Sequence, residues 1–66
     1  MNKEQAILAQ SIEQLELMNR VLEHLRTEVL PKNVKMFALM AGGPLEEIQR
    51  LQDDIERRTS ALVNAA

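Results

Sequence analysis

The chain has 66 residues, with eight Lys or Arg against ten Asp or Glu, a net charge of −2, one His and no Cys, Trp or Tyr. A chain of this length forms one domain, residues 1–66, and buries only about 60% of its unfolded surface, so a lone core is marginal. The missing cysteine excludes disulfide staples and thiolate zinc sites, and the interspersed charge leaves no basic stripe to release counterions from a nucleic acid or to dock on an anionic membrane.

The opening stretch, MNKEQAILAQS, has no basic segment followed by a long apolar one, so no signal peptide is expected. No apolar run approaches the ~18 residues of a membrane span. A cytoplasmic protein is the resulting expectation.

Residues 2–30 are predicted to form one long helix. Leu8, Leu15, Leu22 and Val29 recur every seven residues, the spacing of a coiled-coil seam. Ser11, Met18 and Leu25 occupy the second seam position, flanked by Ile7, Ile12 and Val21, which widens the stripe into the face of a bundle helix. Glu16 stands four residues before Arg20, the favourable order for a helical ion pair. Pro31 pushes Leu30 out of helical dihedrals and ends the helix.

The segment that follows, VKMFALMA, is apolar at seven of its eight positions although proline and glycine bracket it. It is predicted to be a short middle helix over 34–41, with Asn33 as its N-cap and Gly42 as a left-handed stop. Val34, Phe37, Ala38 and Ala41 share one face, and Met36, Leu39 and Met40 share another, with Lys35 the one polar side chain. A helix apolar on nearly every side belongs buried on nearly every side. One face therefore closes the end of a hairpin, and the other faces a second chain. Val34, Met36, Phe37, Leu39 and Met40 are the predicted interface, the methionines being adaptable contact groups.

Residues 44–63 are predicted to form the last helix. Gly43 is its expected N-cap, Pro44 fills the first helical position, and Glu46 and Glu47 face the positive end of the helix dipole. Leu45, Ile48, Leu51, Ile55 and Leu62 form the apolar stripe, which Arg58 and Thr59 interrupt. Glu46–Arg50, Asp53–Arg57 and Asp54–Arg58 are further acid-before-base pairs at four-residue spacing.

No catalytic constellation stands out. His24 and Glu28 lie one helical turn apart, but two ligands do not make a metal site. Asp53, Asp54 and Glu56 lack the spacing of a calcium loop. Ser11 and Ser60 have no histidine at a useful spacing, and Gly42–Gly43 lacks the rest of a phosphate-binding motif. No catalytic residue, cofactor or metal is expected. The predicted architecture is all-α: two long antiparallel helices with a short apolar helix between them, assembling into an oligomeric bundle. The predicted role is protein–protein interaction or oligomerisation as a scaffold, adaptor or regulator, the partner being either further copies of the chain, with a dimer favoured, or a helical protein. The alternative is a small nucleic-acid-binding regulator of helix–turn–helix type, which the acidic balance disfavours.

Overall fold

The computed structural model describes residues 2–65 as two helices, α1 (Lys3–Glu28) and α2 (Val34–Ala65), joined by a tight turn. They pack against each other along their length as an antiparallel hairpin. Ser11 of α1 meets Asp54 of α2, and Glu4 meets Arg58, so residues equally far from the turn lie side by side. The molecule measures 49 × 17 × 12 Å, close to the length of α2 at ~1.5 Å per residue. Its radius of gyration is 15.1 Å, against about 11 Å for a compact domain of this size.

Each helix starts on an asparagine cap. The Asn2 side chain accepts from the Gln5 N–H at 2.8 Å, and the Asn33 side chain accepts from the Met36 N–H at 2.9 Å. The second cap is the one expected from the sequence. It satisfies one of the N–H groups that a first helical turn leaves without a partner. The first helix ends at Glu28, two residues earlier than predicted. The Leu25 carbonyl accepts from both the Val29 and Leu30 N–H groups, at 2.9 and 3.0 Å, and this doubled acceptor closes the helix before Pro31. Val29 then takes N–H donors from Lys32 and Asn33 at 3.0 and 2.8 Å, which reverses the chain.

One expectation is overturned. There is no separate middle helix over 34–41 and no fresh start at Pro44; residues 34–65 form a single helix with Pro44 inside it. The reason is local. No glycine takes a positive φ, so Gly42 does not adopt the left-handed conformation that would stop the helix, and Gly43 is not a cap. Glycine permits that conformation without imposing it. Proline fixes φ near −65°, which suits a helix, and its cost is one lost hydrogen bond to the Met40 carbonyl and a steric clash of its ring there.

The core is thin. Leu25, Ala41 and Leu51 are the buried apolar residues among those described. Around them Leu15, Met18, Leu22, Ile48, Ile55 and Leu62 are half-buried, as the predicted stripes require. Ile12 and Leu45, assigned to those stripes, lie instead on the rim and are exposed. Ala41 lies next to the turn and retains 1% exposure, so a small side chain is what allows the helices to approach closely there. Replacing it with leucine should cost about 1–3 kcal/mol through overpacking, read as a lowered urea midpoint; an unchanged midpoint would mean the helices are free to separate at that level.

Candidate functional site

Two features distinguish this hairpin from a plain pair of helices: an apolar end beside the turn and a polar cluster near the open end. The polar cluster is centred on Asp54, whose carboxylate accepts from the Ser11 hydroxyl at 3.3 Å and from Arg58 Nε at 2.9 Å. Arg57 also pairs with it, and Arg58 reaches across to Glu4 at 3.2 Å. Of the predicted pairs, Asp54–Arg58 forms as expected. Arg50 and Arg57 choose acids three residues back, Glu47 and Asp54, over Glu46 and Asp53, and Asp53 accepts from Gln49 at 3.2 Å. Ser11 is therefore a hydrogen-bond donor within the seam as well as a small packing residue.

The Arg58 hydrogen bond, aided by the Arg57 charge and the Ser11 hydroxyl, holds the Asp54 carboxyl below the ordinary aspartate value. A depressed folded-state value means that the unfolded chain binds the proton more readily. The stability from this group is thus complete above the ordinary aspartate range and is lost as pH falls through the lowered value. Asp54→Asn should reduce the slope of stability against pH on that acid limb, measured by urea melts from neutral pH downward. An identical slope in the variant would show that the cluster does not form.

The apolar end is built by α2's first two turns. Phe37 and Ala41 face α1, whereas Leu39 is 79% exposed and Val34 68%. Met36 and Met40 are each nearly half exposed. The five predicted interface residues are therefore divided between the two sides of the hairpin. Phe37 lines an open groove with Leu22, Leu30 and Leu45, rimmed by Asn19 and the Glu23–Arg26 pair. Arg26 holds the Glu23 carboxyl below its ordinary value by hydrogen bonding. By helical projection Val34 leans toward this groove, while Met36 and Met40 lie on the opposite flank and Leu39 points away from α1. Leu45, expected in the seam, belongs to this surface too.

Two other hollows are open and of mixed polarity. One runs along α1 beside Glu13, Glu16 and Arg20, and the other lies between Gln10, Gln14 and Arg50. Neither gathers an acid, a base and a nucleophile in an enclosed space. Among the described residues no three His, Cys, Asp or Glu side chains converge as a metal site would require, and no helix is long and apolar enough to cross a membrane. His24 and Glu28 are both exposed. Comparison with known proteins finds nothing similar: no family model, no curated protein and no solved structure matches the chain.

Proposed function

We propose that the chain works by protein–protein contact, as a small scaffold, adaptor or regulator whose apolar end joins another helical surface into a bundle. The observation that carries this reading is the open groove that Phe37 forms with Leu22, Leu30 and Leu45, next to exposed Val34, in a chain whose described residues include only three buried apolar ones. Large apolar side chains clustered at one end of a small domain mark an interaction surface more often than a free one. A cytoplasmic setting and the absence of catalysis are part of the same reading and rest on the sequence alone. Nucleic-acid binding has less support, because Arg26, Arg50, Arg57 and Arg58 are each paired with a carboxylate.

The test is Phe37→Asp against Lys35→Asp as control. A carboxylate placed in the groove must lose hydration without a partner when the surface is covered, whereas Lys35 is already exposed. Association, with itself or with a protein purified alongside it, should weaken at least tenfold in Phe37→Asp and stay within twofold in Lys35→Asp. Mass by light scattering and helicity by circular dichroism are read on the same samples over a concentration series, since a small helical chain can couple folding to assembly. A wild type that is monomeric, and that binds no protein any differently from Phe37→Asp, would remove this reading.

A further inference from the structure

We infer that the partner is a second copy of this chain, docked on the Leu22–Phe37–Leu45 side of the hairpin to complete a four-helix bundle; this rests on the interaction reading above and narrows it. The groove beside the turn is the end of a longer surface. Its α1 wall includes Asn19, Leu22 and Arg26, and stepping back by sevens leads to Ile12 and Leu15 and then to Leu8. Its α2 wall includes Leu45, and the same step leads to Gln52 and Thr59, with Ile48 and Ile55 beside them. On this side the seam leaves Leu8, Leu15 and Leu22 of α1 and Ile48 and Ile55 of α2 half-buried, with Ile12 and Leu45 exposed next to them, and a widened face of this kind is how a bundle helix meets two neighbours.

On α2 the opposite side does not continue in this way. The i, i+4, i+7 row that starts with Met36 and Met40 runs on through Gly43 into Glu47, Arg50 and Asp54, whose charges are already held in ion pairs. An apolar layer there would extend for two turns only.

Area and charge choose the occupant. The chain exposes 5048 Å², where a compact monomer of its mass exposes about 4,200 Å². The excess, roughly 800 Å², matches what each partner of a standard interface buries, and so does the footprint of a face measuring 49 by 17 Å. A self-mating surface must also avoid opposing its own charges, since each residue meets the same set on its partner. The middle of this face supplies that with the uncharged polar residues Asn19, Gln52 and Thr59 among its aliphatic ones. A second hairpin brings the same length, the same heptad spacing and the same neutral centre.

Light scattering with charge substitutions on each side tests the assignment. The wild type should reach twice the 7.5 kDa of one chain. Leu45→Glu should raise the dimer dissociation constant at least tenfold. Gln52→Glu, at an exposed position where the single hairpin loses nothing, should raise it severalfold by opposing like charges. Met40→Glu, on the other flank, should leave it within threefold. A dimer lost in Met40→Glu but kept in Leu45→Glu and Gln52→Glu would overturn the face while leaving the interaction reading standing. A wild type that stays monomeric and helical throughout would overturn the second copy as occupant, while a different protein lost from Phe37→Asp would still uphold the broader reading.

Discussion

Truncating Leu51 or Leu25 to alanine should destabilise the hairpin by about 2–5 kcal/mol each, the range for removing a buried leucine and leaving part of its cavity. Among the described residues these are the two large buried side chains, one contributed by each helix. A domain of this length has roughly 3–10 kcal/mol of stability in total, so either change alone removes a large share of it and, at the low end of that range, unfolds the protein at room temperature. Leu22→Ala and Ile55→Ala should cost less, because both side chains keep some exposure. His24→Ala and Glu16→Ala should stay within about 0.5 kcal/mol, since both sites are exposed and away from the seam. Urea melts must be run at one fixed protein concentration, because association adds to apparent stability. If His24→Ala or Glu16→Ala costs as much as Leu51→Ala, the helices are rotated relative to the arrangement described above.

The sequence showed the seam plainly because an amphipathic helix declares its buried face by spacing alone. Leu25 and Leu51 lie where the heptad count puts them, and Asn33 caps where its side chain can reach the Met36 N–H. The apolar segment was legible as two faces only in part: Phe37 and Ala41 turn inward and Met36, Leu39 and Met40 turn out, but Val34 and Ala38, expected on the inward face, are exposed. What spacing does not carry is the relation between the helices. Ser11 interrupts one stripe and Arg58 the other, and each looks like a defect when its helix is considered alone. Asp54 lies across from Ser11 and one helical turn before Arg58, so it accepts from both and joins the two interruptions into a cross-helix contact. The division of the interface residues onto opposite flanks was hidden for a related reason. Once residues 34–65 form one helix, the rotation of Val34 and Met36 is tied to that of Leu51, seventeen and fifteen residues on.

The Gly42–Gly43–Pro44 run supplies the other large effect. Gly42→Ala and Gly43→Ala should each stabilise the protein by about 0.5–1 kcal/mol, because alanine loses less conformational freedom than glycine inside a helix. Neither glycine takes a positive φ, and a methyl group built at either meets nothing within 4 Å, so no strain or clash offsets the gain. Pro44→Ala should add up to about 3 kcal/mol, by restoring an N–H donor for the Met40 carbonyl and removing the ring from its neighbourhood. The packing that the half-buried ring makes is lost at the same time, so the net gain should fall below that figure. Thermal and urea melts of the three single variants and of the triple variant give the comparison, with neighbouring sites free to depart from additivity. A loss of stability in Gly42→Ala would mean that the glycine leaves helical dihedrals in solution and that 34–41 is a separate helix after all. Association supplies a second reading of the same variants. The run lies between Phe37 and Leu45, both in the proposed contact, and its two glycines and its proline lower helix propensity there. Docking must include the cost of holding those turns in place. Strengthening the join should therefore tighten dimerisation in step with stability, whereas a dimer that ignores Gly42→Ala and Gly43→Ala is one in which residues 34–41 are already fixed before the second copy arrives.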